Sequence, residues 1–357
     1  MEPSPPGLPP RILHLAGGLR AVDARDGQIG IHLSLDVRLA QYPVPPYAAL
    51  YSAMPSLGLH PLGVEFVYGG TYANASPPDW QCIFPTVGFG ILAEQRAWQE
   101  IRTAAQIDKH SVLADFASRT CSYLALLPIR VFQLSDAYNR MLRLAGDLKP
   151  SQLFDNIWKP HLEAAIHGYL ADAASFRDLL AEGVWQFILG GRDRVTTLSS
   201  FLKKANKNPN LLVQRIIESG DAGGWLKIFT DLRNDVIHVA PVGDSRTLHL
   251  CQARMIDCGA TRLTVMHYPL LAADGSIYRL DETNLDFTSE KDVRKRIEEF
   301  QVYCHSSIDA LDYVWKTTDR FVALLKALRD AGNFRQERVT ITDADLAGEV
   351  TILSGKK

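Results

Sequence analysis

Arg233, Asn234 and His238 lie close together in the segment Trp225 to Gly243, WLKIFTDLRNDVIHVAPVG, and form an Arg-Asn-x-x-x-His unit shortly before Pro241. These residue types suit phosphodiester chemistry. Cleavage of RNA by its own 2′-hydroxyl needs a base to remove that proton, an acid to protonate the leaving 5′-oxygen, and positive charge on the phosphorane. An imidazole changes charge near neutral pH and can serve either proton step, a role that two copies of His238 could divide. The Arg233 guanidinium can clamp a phosphate with its fork of donors, and Asn234 is suited to orient His238 or the substrate. Because the nucleophile in such a cleavage belongs to the ribose, DNA would be spared.

The motif needs a helix to present it. Gly223-Gly224 and Pro241 bracket a helix of about four turns. At about 100° per residue, Trp225, Ile228, Phe229, Leu232, Val236 and Val239 fall in one stripe, the expected core face. Asn234 and His238 lie opposite that stripe, and Arg233 lies to one side near Leu226 and Ile237. Leu226 and Ile237 then offer an apolar strip to a partner helix, and a symmetric dimer could bring two copies of the trio into one cleft. The plainer reading is that Arg233 pairs with Asp231 or Asp235 while His238 caps the helix C-terminus, where a cation is favoured.

This pattern resembles the signature of HEPN domains, a helical family containing many metal-independent ribonucleases. Those enzymes carry Arg, a polar residue, several variable residues and then His near the end of a late helix, matched here by Arg233, Asn234 and His238. The match is strict over about twenty residues and loosely architectural from Lys159 to Gly332, leaving the N-terminal region uncovered. The resemblance implies a metal-independent endoribonuclease with no cofactor, cutting RNA where two motifs meet across a homodimer. It implies a toxin or an antiviral-defence effector, controlled by a trigger or antitoxin protein or by modification from a partner nucleotidyltransferase. The alternative is a non-catalytic HEPN-like dimerisation or RNA-binding scaffold.

Beside the motif, Arg192, Arg194, Lys203, Lys204 and Lys207, with Arg215, make the most basic stretch of the chain, relieved only by Asp193. It is expected to carry an RNA backbone, although Phe201 is its single aromatic and base stacking is not advertised. No metal site is expected: Cys251, Cys258, Cys304 and His305 lack the close paired spacing of structural zinc, and His161 and His167 lack a companion ligand. Dinucleotide and phosphate-loop fingerprints, the Gly-x-Ser-x-Gly elbow and the kinase motifs are missing.

With 38 basic and 40 acidic residues in 357, the formal charge of −2 excludes wholesale nucleic-acid coating, so any contact with RNA must be local. Five scattered cysteines read as reduced and structural. No run reaches the length of a membrane span and MEPSPPGLPPR lacks the pattern of a secretory signal, so no membrane partner and a cytoplasmic location are expected.

The elements read as α+β. Ile29 to Leu39 alternates as one half-buried strand after a turn at Asp26-Gly27, and Leu62 to Tyr68 reads as another. Helix-spaced apolar positions run through Glu94 to Gln106, Ser111 to Leu144 (with Pro128 as a candidate kink), Pro160 to Leu189 and Thr196 to Ser219. Strands follow at Arg246 to Asp257, Arg262 to Leu270 and Ser276 to Leu280. A single helix of roughly 60 Å is expected from Glu290 to Ala331, with a seam of Val293, Ile297, Phe300, Cys304, Ile308, Leu311 and Trp315. Short strands are expected at Val339 to Ile341 and Val350 to Leu353. The organisation is thus a β-rich region over 1–95, a mainly helical HEPN-like domain over 96–335 with a small β-meander inserted at about 244–286, and a tail over 336–357.

Overall fold

Apolar and polar residues alternate near the N-terminus because the chain there builds a sheet with one face on a helix. The computed structural model describes residues 11–23, 28–34, 37–43, 54–66, 79–205, 208–239, 250–278 and 289–338. In it β1 (Arg11–Leu15), β2 (Arg20–Asp23), β3 (Gln28–Ser34), β4 (Val37–Pro43), β5 (Pro61–Phe66) and β6 (Asp79–Cys82) form an antiparallel sheet in the order β4-β3-β2-β1-β5-β6. The single strand expected over Ile29 to Leu39 is two strands of a hairpin, with Ser34 opposite Val37 and Ile31 opposite Ala40. Period-two alternation cannot reveal such a reversal, since the sequence pattern runs on from one strand into the next. The Asp26-Gly27 turn lies outside the described residues, although Asp23 pairs with Ile29 across it.

The helices follow the expected periodicity more closely. They are α1 (Gly90–Ile107), α2 (Ser111–Leu144), α3 (Lys159–Gly183), α4 (Leu198–Ala205), α5 (Leu211–Gly220), α6 (Trp225–Asn234), α7 (Glu290–Ser306) and α8 (Ala310–Gly332). Helix α2 buries Phe116, Thr120, Leu124, Leu127, Val131, Leu134, Tyr138 and Met141 along one face and runs through Pro128 without ending. The sheet docks on it. Trp80 donates its indole N–H to the Pro128 carbonyl at 2.9 Å, and the His14 and Phe132 rings sit 5.2 Å apart. Gly18, at φ 91°, lets the β1–β2 turn reach the α2 backbone, where a Cβ would come within 3.0 Å of the Tyr138 carbonyl carbon.

Two helices are shorter than their periodicity suggests. The stretch Thr196 to Ser219 splits into α4 and α5 around Pro209, because the residue before a proline is driven out of the helical region; Asn210 then caps α5 by accepting from the amides of Leu212 and Val213. The long helix expected over Glu290 to Ala331 is α7 and α8, interrupted by a short strand, β11 (Ile308–Asp309), which pairs with β10 (Pro269–Leu271). Asp309 restarts the chain as the cap of α8, accepting from Leu311 N at 3.0 Å and Asp312 N at 3.1 Å. The expected seam is divided accordingly: Phe300 and Cys304 are buried on α7, Leu311 and Trp315 on α8, and Ile297 is exposed.

The inserted β segment is more embedded than a meander. Strands β8 (Cys251–Cys258) and β9 (Thr261–His267) form a hairpin that gains β7 (Leu153–Phe154), from the α2–α3 connection, as a third strand. The strand expected at Ser276 to Leu280 is absent over its described residues: Asp274 accepts from the amide and hydroxyl of Ser276 at 2.9 and 2.7 Å, closing a turn. The expected tail strands lie outside the described residues.

Side chains of the N-terminal sheet, including Leu13, Leu15, Ile29 and Ile31, share one continuous buried cluster with α2, α3 and α8. Trp315 of α8 ties them together, donating to the carbonyls of Leu62 at 3.1 Å and Ile83 at 2.9 Å. The fold is α+β, and among the described residues no helix is long and apolar enough to cross a membrane.

Candidate functional site

Helix α6 is held in one rotation about its axis by its neighbours. Phe321 of α8 packs edge-on against Trp225 at 5.1 Å and Phe229 at 5.4 Å, and also meets Phe176 of α3. Arg177 of α3 donates to the Thr230 hydroxyl at 2.9 Å. The buried positions are Leu226, Phe229, Leu232 and Val236, while Trp225 and Ile228 are half-buried. Leu226, expected beside Arg233 as part of a strip for a partner helix, is only 2% exposed, so Ile237, at 39%, is what remains of that strip. Contact with α3, α5 and α8 together makes the buried arc wider than the single stripe on the wheel.

Beyond Asn234 the helix widens into a π turn over Asp235–Val239. This is decisive for the motif. Residues five apart stand roughly 140° apart around an α-helix, and the wider i→i+5 turn brings them nearer to one face. Arg233 Nη1 accordingly lies 2.8 Å from His238 Nε2, and the same nitrogen donates to Asn234 Oδ1 at 3.2 Å. A guanidinium can only donate, so Nε2 is the acceptor here and the imidazole proton resides on Nδ1. Asn234 thus orients Arg233. Asn234 and His238 are exposed and Arg233 is half-buried, its Nε enclosed without a partner. Asp231, a candidate ion-pair partner for Arg233, pairs with Lys227 at 2.5 Å instead.

The basic stretch is tied to the same support, since Arg177 and Asp178 of α3 bond one another at 2.9 Å. Asp178 accepts from Leu198 N at 3.0 Å, fixing the start of α4, while the adjacent Arg177 holds α6. Arg192, Arg194 and Lys203 are exposed. Lys204 is engaged with Asp193, whose carboxyl it holds below its ordinary range, and its ammonium lies 5.4 Å from the Trp185 ring. Lys207 lies outside the described residues. No hydrogen bond or ion pair among the described residues joins this stretch to the motif.

No group of three His, Cys, Asp or Glu side chains is placed to hold a metal among the described residues. The five cysteines are buried and none forms a disulfide among the described residues, and burial pushes the Cys304 thiol up to about 12.

The chain matches no family model, no curated protein and no solved structure. Its chemistry must be read from these side chains. Sequence reasoning found the trio but missed what assembles it: the π turn has no residue-type signature, and Arg177 and Thr230 meet across 53 positions of chain.

Proposed function

We propose that this protein is a metal-independent endoribonuclease on a HEPN-like helical bundle, with Arg233 and His238 as its catalytic pair. The observation that carries the reading is the 2.8 Å contact between Arg233 Nη1 and His238 Nε2 at an exposed helix end. An incoming phosphate offers the guanidinium a charged acceptor, which binds it more strongly than a neutral imidazole does. As Arg233 turns to the phosphate, the Nε2 lone pair is released beside it and becomes the base for the 2′-hydroxyl. Arg233 then faces the charge that develops on the phosphorane.

The leaving 5′-oxygen needs a proton from a second imidazole. In this reading it comes from His238 of a second copy, so the active species is a homodimer whose two motifs share one cleft. Exposed Arg192, Arg194 and Lys203 extend a path for the RNA backbone. A cytoplasmic toxin or antiviral-defence effector, released by a trigger or antitoxin protein, is the biological role that suits such an activity.

The test is cleavage of labelled single-stranded RNA and tRNA in excess EDTA, with Arg233→Ala and His238→Ala beside the parent. Both variants should lose cutting, and the matching DNA should remain whole. A His238→Ala protein that cuts as well as the parent overturns the assignment. RNA binding that falls steeply with salt, without cleavage, identifies the non-catalytic scaffold instead.

A further inference from the structure

We infer that Ser307, His267 and Asp309 form a second reactive centre, an acyl-transfer site in which the Ser307 hydroxyl attacks a small oxygen ester. Ser307 Oγ lies 2.8 Å from His267 Nε2, and His267 Nδ1 lies 3.4 Å from Asp309 Oδ2. A nucleophile, a base and a carboxylate that orients the base recur in this relation on unrelated folds and in any chain order. The proposal concerns residues apart from the Arg233 motif and does not depend on the ribonuclease reading.

The topology brings the three together. His267 ends β9, and the pairing of β10 with β11 carries Ser307 and Asp309 back beside it. Asp309 is fixed independently of His267: Oδ2 accepts from Tyr268 N at 3.0 Å and from the Tyr138 hydroxyl at 2.9 Å, and Oδ1 caps α8. Capping accounts for Asp309 but not for a histidine, 3% exposed, aimed at a half-buried serine. The serine proton has two acceptors at the same 2.8 Å distance, His267 Nε2 and the Cys304 carbonyl, so rotation of the hydroxyl turns a resting bond into a productive one.

A cation stands beside the nucleophile. Arg254 Nη2 donates to that same Cys304 carbonyl, while its Nε donates to Gln252 Oε1 at 3.3 Å. The guanidinium therefore adjoins Ser307 and can face the oxyanion of a tetrahedral intermediate. In the reaction, Ser307 Oγ bonds to the ester carbonyl carbon as its proton passes to His267 Nε2, and Asp309 stabilises the imidazolium through Nδ1–H. The bond from carbonyl carbon to alkoxy oxygen breaks, and the alcohol leaves with the proton from Nε2. Water then repeats the sequence on the acyl-serine, releasing the carboxylic acid and restoring Ser307.

The experiment treats the full-length protein with a reporter-tagged fluorophosphonate and maps the adduct by peptide mass spectrometry. One adduct at Ser307 is expected, absent in Ser307→Ala, formed at least tenfold more slowly in His267→Gln, and unchanged in His238→Ala. Thermal melting confirms that each variant is folded; should His267→Gln fail to fold, the position of the adduct on the parent decides alone. A folded parent that takes no adduct at Ser307 overturns the proposal, as does a folded His267→Gln that labels at the parent's rate.

Discussion

Arg233, Asn234 and His238 share one helix end and meet solvent, whereas His267 ends β9, Ser307 and Asp309 come from the connection between α7 and α8, and all three lie against the core. In the first group each side chain loses little if a neighbour is removed, because water takes the vacated place. In the second, the polar groups are one another's partners: the Tyr138 hydroxyl, the Tyr268 amide and the His267 ring all converge on the Asp309 carboxylate. Removing a partner there leaves a donor with no replacement, which costs more than the bond itself contributed. Chemistry and stability should therefore separate at the surface cluster and stay coupled at the buried one.

The largest expected effect breaks the first cluster. His238→Ala should lower metal-free RNA cleavage by about 10²- to 10⁴-fold while shifting urea-unfolding stability by no more than about 0.5 kcal/mol. A large stability loss would show that the helix end supports the fold after all. At the buried cluster the order reverses, and Asp309→Ala should cost about 3 kcal/mol in the same unfolding measurement, combining a lost cap with orphaned donors. A cost under about 1 kcal/mol would mean that water replaces the carboxylate and the cluster is not sealed.

A smaller effect probes the support of α6. Thr230→Val removes the acceptor for Arg177 and should cost about 1 kcal/mol, with RNA cleavage falling less than in His238→Ala. Equal losses in the two variants would indicate that Arg177 does more than position the helix.

The smallest effect is a dependence on pH. Burial alone would raise the Asp309 carboxyl, but the hydrogen bond and charge of His267, with the amides of Tyr268 and Asp312, hold it below its ordinary 3.8. A carboxyl depressed on folding adds stability above its unfolded value, and that stability is lost as pH falls through the folded value. The stability gap between parent and Asp309→Asn should thus be full at about pH 5 and shrink progressively below 3.8. A gap that stays constant across that range would show that His267 gives the carboxylate no preferential support.

Much of this molecule can be read along its chain. The α2 limits, the amphipathic α6 and the position of the Arg-Asn-x-x-x-His unit follow from spacing, Gly223-Gly224 and the apolar repeats, because these are effects within a few residues. Periodicity misled where two segments share a pattern but not an axis. Ile29 to Leu39 alternates straight through a hairpin, and the seam from Val293 to Trp315 continues across the break at Ser307, where Asp309 and strand pairing outweigh helix continuation. Pro209 and Asn210 did carry a local signal for the break between α4 and α5, since a proline and a capping residue act on their immediate neighbours.

By itself the sequence determined which side chains could do phosphodiester chemistry, that they ride on a helix, and that the chain combines sheet with helix. Tertiary structure alone decided that Arg233 and His238 touch, because a π turn closes an angle that an α-helix leaves open. It alone gathered Ser307, His267 and Asp309 around one hydrogen-bonded line, since strand pairing between β10 and β11 joins residues whose separation along the chain carries no sign of their meeting.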